Sequence, residues 1–270
     1  MFWNRDNPTL TPDLPAKAAG ALSIKGVSKR FTIEGKTKTV LDGIGLDIQP
    51  GEFVSIVGPS GCGKSTLLRL ISGLDTDYDG DITLGGERIT GPGLERGIVF
   101  QDHRLLPWLT IEDNIDLALI RRNLPRAERQ QLIRAHLALV NLTGYERAFP
   151  HQLSGGMAQR AAIARGLVNE PGILLLDEPL GALDALTRLK VRTELERIWI
   201  KHRNTMIMVT HDVSEAVHLS NRVVVMASDP GRIARIVSIP LDYPRERSSA
   251  LLLEIEEDIL QSILSRPQGG

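Results

Sequence analysis

The chain has 270 residues, of which 42% are hydrophobic, and this is enough for a large buried core. Its 32 Lys and Arg residues balance 33 Asp and Glu residues, so no strong net charge attracts nucleic acid or an anionic membrane surface. The single cysteine excludes an internal disulfide framework and fits a reducing compartment. No apolar run approaches the roughly 18 residues that cross a bilayer, so we expect no channel formed by this chain alone.

The first part of the chain predicts a leader followed by strands. Residues 1 to 20 hold three prolines among small and polar residues, without the apolar core of a signal peptide, and we interpret them as a flexible leader. From Leu22 onward the pattern favours an antiparallel β layer. Phe53 to Val57 is a short apolar strand, and Ser65 to Ser72 has the spacing of a helix that ends at Gly73.

The turn between that strand and helix carries a phosphate-binding motif, GPSGCGKS, which matches G-x-x-x-x-G-K-[ST] over its full length. Its glycines let the backbone approach phosphate oxygens, while amide N–H groups and the helix N-terminus supply partial positive charge. We expect Lys64 to neutralise the β and γ phosphates and the Ser65 hydroxyl to ligate Mg²⁺. A redox role for Cys62 is conceivable, but a small side chain fits there for steric reasons alone. The predicted nucleotide-binding residues of this loop are Gly58, Pro59, Ser60, Gly61, Cys62, Gly63, Lys64, Ser65 and Thr66.

The middle of the chain predicts a helical lobe, at about residues 102 to 170, because helix-prone segments dominate there without a comparable strand. Three apolar strands follow at Ile173–Leu176, Met206–Val209 and Val223–Met226, separated by helical patterns, as a buried and mainly parallel sheet requires. The predicted fold class is therefore α/β. It consists of a P-loop NTPase core with a mainly parallel sheet, an antiparallel β layer and an inserted helical lobe.

Two carboxylates and a histidine follow the ends of these strands. Asp177 and Glu178 are consecutive, so their side chains should point to opposite sides and have different tasks. In P-loop proteins an acid at this position holds Mg²⁺, which we assign to Asp177, whereas Glu178 can polarise the attacking water. His211 ends the next strand at the same sheet edge, where contact with a γ phosphate is natural. Without the phosphate loop, two solvated turn acids would be the better interpretation.

A second anion cradle is predicted before the carboxylate strand. The segment LSGGM places Ser154, Gly155 and Gly156 at the start of a helix, with Ser154 as an added donor and N-cap. A chain that already has a phosphate loop has no evident use for a second cradle within itself. Two copies packed head to tail would use both, which predicts a homodimer.

Together these motifs resemble the nucleotide-binding subunit of an ATP-binding cassette (ABC) transporter, over about residues 22 to 240. The resemblance implies the ABC ATPase fold, ATP and Mg²⁺ as ligands, and ATP hydrolysis coupled to solute import. It implies that Phe31 stacks on adenine, that Gln101 senses Mg²⁺ and the γ phosphate, and that Asp184 belongs to a dimer-contact loop. It further implies that Ser154, Gly155 and Gly156 cap the ATP of the opposite subunit, and that Asp177, Glu178 and His211 are metal acid, catalytic base and histidine switch.

Three positions depart from the family pattern. Met157 stands where Gln is usual, and Phe31 replaces the commoner Tyr. Both changes are tolerated by chemistry, because backbone N–H groups and a ring face do the binding. Gly181 stands where the contact loop often has Ser, which affects the expected geometry between subunits.

The resemblance also suggests a role for the segment QDHRLLPWLT, which starts at Gln101. In such subunits the region after this glutamine receives a coupling helix from the membrane partner. Burying Leu105, Leu106 and Trp108 would contribute about 1.5 to 3 kcal/mol each, so an exposed trio is costly unless a partner covers it. We therefore expect integral-membrane permease subunits to dock here, with a private core as the alternative. The resemblance also implies an extracytoplasmic solute-binding protein, no nucleic acid, and a peripheral position at the cytoplasmic face of the inner membrane.

The C-terminal part, residues 246 to 270 after an ATPase domain at 21 to 245, predicts an amphipathic helix. Leu252, Ile255 and Ile259 share one face with Ile263, so the helix should pack on this domain or on a partner.

Details of the chain resemble the nitrate, sulfonate and taurine importers within the family. Aliphatic sulfonate importers are the most similar in LGALDALTRL and THDVSEAV, and nitrate and taurine remain alternatives. A soluble ABC protein acting on nucleic acid or ribosomes usually needs two cassettes, a long insertion or a basic patch. A P-loop kinase or GTPase is disfavoured by LSGGM.

Overall fold

The structure is a computed structural model that describes residues 20–246 and 248–264, so the predicted leader lies outside the described residues except for Gly20. The strands are β1 (Leu22–Ile33), β2 (Lys36–Ile48), β3 (Phe53–Val57), β4 (Asp79–Leu84), β5 (Glu87–Arg88), β6 (Arg96–Val99), β7 (Ile173–Asp177), β8 (Thr205–Val209), β9 (Arg222–Ala227) and β10 (Arg232–Ser238). The α-helices are α1 (Lys64–Ser72), α2 (Ile111–Leu119), α3 (Arg126–Leu139), α4 (Gly155–Leu167), α5 (Ala185–His202), α6 (Val213–Leu219) and α7 (Ala250–Leu264).

A six-stranded sheet carries the phosphate loop and the strand ends. Its order is β10-β9-β3-β8-β7-β6, and all neighbours are parallel except β10 with β9. Every residue of β3 and β8 is buried, because both faces of the central strands are covered. The parallel arrangement brings the carboxyl ends of β3, β6, β7 and β8 to one edge, where ligands bind in open α/β sheets.

A four-stranded antiparallel sheet, in the order β2-β1-β4-β5, forms the predicted β layer. Its inner face shares a hydrophobic core with α1 and one face of the six-stranded sheet, through residues such as Ile24, Leu68 and Ile207. Helices α2, α3 and α4 pack on one another and on the other face of the large sheet. The predicted fold class is confirmed.

The C-terminal helix α7 packs on α6 and β9 of the same chain. Leu252 and Ile259 are buried in this contact, and Ile255 and Ile263 are partly buried, so the predicted apolar face is the packed one. The division of the chain near residue 246 stays a prediction. Among the helices of the described segments, we find none with the length and hydrophobicity of a membrane span.

Arg245 connects the segment before α7 to the rest of the domain. Its guanidinium is buried and donates to five backbone carbonyls, and its own backbone N–H donates to Glu196 Oε1 over 3.0 Å. The acceptors are the carbonyls of Val217, His218, Ser220, Ile239 and Leu241. Because three of them lie at the end of α6, Arg245 serves as a side-chain cap of that helix.

Candidate functional site

The phosphate loop lies between β3 and α1, and its backbone conformation requires glycine at two positions. Gly58 and Gly63 have φ values of 154° and 95°. A Cβ atom at Gly58 would lie 2.6 Å from Met226 O, and one at Gly63 would lie 2.5 Å from Leu41 Cδ2. Lys64 Nζ donates to the carbonyls of Gly58 and Pro59 over 2.8 and 2.9 Å. The ammonium therefore lies against the loop in which it is predicted to neutralise the phosphates.

Ser65 and Asp177 face each other at the two sides of the site. The Ser65 hydroxyl donates to Asp177 Oδ1 over 3.0 Å, which joins the start of α1 to the end of β7. Burial raises the pKa of Asp177, while the Ser65 hydrogen bond acts in the opposite direction. A hydroxyl and a carboxylate are oxygen ligands of the kind that Mg²⁺ prefers, and the pair fits the predicted metal position.

Glu178 and His211 are brought together at the same edge. Glu178 has a φ of 46°, which is unusual for a residue other than glycine and is often found at functional sites. Its backbone N–H donates to Val209 O over 2.8 Å, which ties the turn after β7 to the end of β8. Glu178 Oε2 and His211 Nδ1 lie 3.2 Å apart. We refer to residues 210–212, which carry His211, as the histidine loop.

Gln101 and Gly181 complete this cluster. Gln101 follows β6, and a Cβ atom added at Gly181 would lie 3.4 Å from both Gln101 Nε2 and Glu178 Oε2. These are ordinary contact distances, so a Cβ atom at this position would fit without a collision. Gly181 belongs to the predicted dimer-contact loop, and we refer to residues 180–184 as the contact loop. Through Gly181 this loop borders the site.

The second predicted cradle lies at the start of α4. Ser154 is the N-cap, and its Oγ accepts from the Met157 N–H over 3.3 Å. A Cβ atom at Gly156 would lie 2.1 Å from Thr187 Cγ2, so this glycine permits the close approach of α4 and α5. Ser154 and Gly155 are exposed. In the part of the chain that the structure describes, no hydrogen bond or ion pair joins Ser154, Gly155 or Gly156 to the phosphate loop.

Within the described ranges, no hydrogen bond or ion pair joins Asp184 or Phe31 to Glu178, His211 and Gln101, which we call the carboxylate cluster. Asp184 is the exposed N-cap of α5 and accepts from the backbone N–H groups of Leu186 and Thr187 over 3.1 Å each. Hydrogen bonding to Thr187 lowers the pKa of Asp184. Phe31 lies on β1 and is 38% exposed as a residue, and Lys29 Nζ lies 4.8 Å from the centroid of its ring. The ring is therefore accessible to a stacking ligand.

The segment after Gln101 differs from the sequence expectation in one respect. Leu105 is only 6% exposed and belongs to the core of the helical lobe, so the prediction of an exposed trio is wrong at this position. Leu106 is half-buried, whereas Trp108 is 70% exposed. The cause is Asn114, which is fully buried and accepts from the Leu106 N–H over 2.7 Å while donating to three carbonyls of the same turn. This network folds the segment onto α2 and turns Leu105 inward.

Sequence reasoning missed the residues that shape this segment. Arg165 donates to the carbonyls of His103 and Arg104 over 2.7 Å each, and Gln159 Nε2 donates to Phe100 O over 3.3 Å. With Asn114, these side chains fix the backbone on both sides of Gln101. The available signal was a polar residue on the otherwise apolar face of a helix, as Asn114 is on α2, which seldom occurs without a buried partner.

Comparisons with known proteins identify the family of this chain. A family model described as "ABC transporter" matches residues 41–181. The aliphatic sulfonates import ATP-binding protein of Bacillus subtilis is 48% identical over 240 residues, covering 89% of this chain and 93% of that protein. An uncharacterized ABC transporter ATP-binding protein of Methanocaldococcus jannaschii is 47% identical over 239 residues, covering 88% and 90%.

Solved structures are similar as well. The dimeric structure of an ATP-binding cassette in a post-hydrolysis state, bound to ADP and Pi, has a TM-score of 0.72 and 32% identity, covering 82% of this chain and all of that one. The structure of cbiO1 from Clostridium perfringens, part of the ABC transporter complex cbiONQ, has a TM-score of 0.74 and covers 91% of this chain and 95% of that one. At 24% identity, the second likeness concerns the fold alone.

Proposed function

Because this chain belongs to the ABC transporter family, we propose that it is the ATP-hydrolysing subunit of an importer and works as a homodimer. The observation that carries this proposal is the Glu178 carboxylate, which lies 3.2 Å from His211 at the sheet edge that also holds the phosphate loop. ATP would bind with its phosphates in that loop. The dimer is supported by the second cradle at Ser154, which shares no hydrogen bond or ion pair with the phosphate loop of its own chain among the residues that the structure describes.

The chemistry follows from the groups at this edge. Backbone N–H groups of the loop and the Lys64 ammonium would orient the phosphates and neutralise their charge. Ser65 and Asp177 would hold Mg²⁺, which when bound adds positive charge beside the β and γ phosphates. Glu178 would accept a proton from the attacking water. His211 would contact both the Glu178 carboxylate and the γ phosphate and so orient them relative to each other. Gln101 would contact Mg²⁺ and the γ phosphate, so their presence would affect the segment that follows it.

Hydrolysis by the purified chain tests the catalytic proposal. We expect ATP turnover that is lost in Lys64→Ala and that increases when the permease is present. Phosphate release measured with and without permease-containing vesicles gives this comparison. Stimulation by ribosomes or nucleic acid, with no response to the permease, would instead favour a soluble ABC ATPase.

Cargo is proposed from the relatives, since an ATP subunit does not itself contact the solute. The Bacillus subtilis relative is named for aliphatic sulfonate import, and this chain covers almost its full length. We propose uptake of aliphatic sulfonates with a two-subunit permease and an extracytoplasmic binding protein. Nitrate and taurine are the alternatives within the same branch.

Growth of a deletion strain distinguishes these cargoes. We expect failure on alkanesulfonates as the sole sulfur source, restored by the parent gene and not by the Lys64→Ala gene. Growth on taurine as sulfur source and on nitrate as nitrogen source is measured in parallel. Normal growth on every sulfonate with failure on nitrate would contradict the sulfonate proposal and retain the branch.

Trp108 supplies a test of permease docking. Its exposed indole is more available to a partner than the other apolar groups of the segment. The buried Leu105 attaches the segment to the core. We expect Trp108→Asp to weaken co-purification with the permease and to reduce solute uptake, while nucleotide binding by the isolated chain is unchanged. Because Leu106 is half-buried, Leu106→Asp should have the same effect with some loss of stability.

Leu253→Asp is the matched control for the docking test, because Leu253 is 55% exposed but lies on α7. Uptake and co-purification should be normal in this control. If Trp108→Asp also supports normal uptake and co-purification, the permease does not dock on this segment.

A further inference from the structure

Arg188 joins the contact loop to the histidine loop. Its Nη2 donates to the carbonyl of Leu183, in the contact loop, over 3.1 Å. Its Nε lies 3.7 Å from Glu215 Oε1, and its Nη1 lies 4.0 Å from Asp212 Oδ2. One guanidinium on the first turn of α5 thus contacts two segments that both border the carboxylate cluster.

Glu215 in turn holds the histidine loop from both ends. Its side chain is almost completely buried, and its Oε2 accepts from the Thr210 hydroxyl over 2.9 Å. The Glu215 backbone N–H donates to Asp212 Oδ1 over 3.0 Å, and the Asp212 backbone N–H donates to Thr210 Oγ1 over 3.1 Å. Glu215 therefore holds the residue before His211 through its buried carboxylate and the residue after His211 through its backbone N–H.

The charges around Glu215 give Arg188 a specific task. Burial raises the pKa of Glu215 and the neighbouring Asp212 carboxylate adds to the effect, whereas the Thr210 hydrogen bond and Arg188 act in the opposite direction. A buried carboxylate without a cation would have to take up a proton or move toward water. Either change would disturb the hydrogen bonds that hold the histidine loop.

We propose that Arg188 and Glu215 are positioning residues for hydrolysis, holding His211 against Glu178 and making its position depend on the contact loop. This inference rests on the catalytic roles proposed for Glu178 and His211. In a dimer, the contact loop is where the second copy would act. A shift of the Leu183 carbonyl would then be transmitted through one ion pair to His211, so that the two copies hydrolyse ATP only when correctly assembled.

Variants of the full-length chain test this inference. We expect Arg188→Ala and Glu215→Gln each to lower ATP turnover about tenfold, while the KM for ATP changes by less than about twofold. The double variant should lose no more than the slower single variant, because both changes break the same ion pair. Arg188→Lys should restore part of the turnover, since an ammonium can still neutralise Glu215. Lys190→Ala, an exposed cation on the same helix, is the control and should retain the parent rate.

Several results would overturn the inference. These are a parent rate in both Arg188→Ala and Glu215→Gln, losses that multiply in the double variant, or a raised KM with unchanged turnover. If Arg188→Ala fails to fold, the isosteric Glu215→Gln decides, and melting temperatures identify such a case. Glu178→Gln is assayed in parallel, because a parent rate in that variant would remove the proposed catalytic site itself, whatever Arg188 does.

Discussion

Glu178→Gln should lower the rate of ATP hydrolysis by about 100-fold or more while ATP binding is retained. The amide has the size of the carboxylate and can keep the contact with His211 Nδ1, which is 3.2 Å long in the parent. It cannot accept the proton of the attacking water. Because the phosphate loop, Ser65 and Asp177 are unchanged, we expect bound ATP to persist and a closed dimer to accumulate.

Phosphate release and light scattering in the presence of Mg-ATP measure these two effects. Glu128→Gln on α3 is the control, since it changes an exposed carboxylate outside the site and should leave both quantities at the parent level. Parent-rate hydrolysis by purified Glu178→Gln would contradict the assignment of Glu178 as the catalytic base.

Arg245→Ala should cause a large loss of stability, although Arg245 lies outside the site. The change removes the donor for five backbone carbonyls, all in or beside the contact of α6 with the segment before α7. Each buried acceptor left without a partner costs about 1 to 3 kcal/mol, although the terms do not add fully. We expect the free energy of unfolding to fall by about 3 kcal/mol or more.

Urea denaturation followed by circular dichroism measures this loss. Arg235→Ala is the matched control, because Arg235 is exposed and its pair with Asp258 should contribute less than about 1 kcal/mol. Equal midpoints for Arg245→Ala and the parent protein would show that water replaces the guanidinium and that the cap has no net effect on stability.

The fold and most of the site could be predicted from the sequence because their determinants are local. The phosphate loop needs glycines where a Cβ would collide with Met226 O or Leu41, and such positions recur at fixed spacing. Asp177 and Glu178 follow an apolar strand directly, so their place at the sheet edge depends only on strand direction. The roles of Phe31, Gln101 and Asp184 come from the family resemblance instead. The roles of all the site residues stay predictions.

The parts that escaped sequence reasoning depend on contacts between distant segments. The family resemblance predicts Leu105 at a docking surface, with a private core as the alternative, and nothing in its neighbourhood indicates that Asn114 folds the turn inward. Arg245 follows an unremarkable Tyr-Pro pair, and its five acceptors become neighbours only after α6 and β10 are in place. From the sequence alone, Arg188 is expected to be a solvated helix residue. Only the packing of α6 brings Glu215 Oε1 to within 3.7 Å of Arg188 Nε.

ATP turnover per subunit, measured as a function of protein concentration, tests most directly whether two copies share each active site. If the phosphate loop of one copy needs Ser154 and Gly155 of another, turnover per subunit should rise with concentration and level off as light scattering reports dimers. Constant turnover per subunit, extending to concentrations at which only monomers are detected, would show that one chain hydrolyses ATP without a second copy.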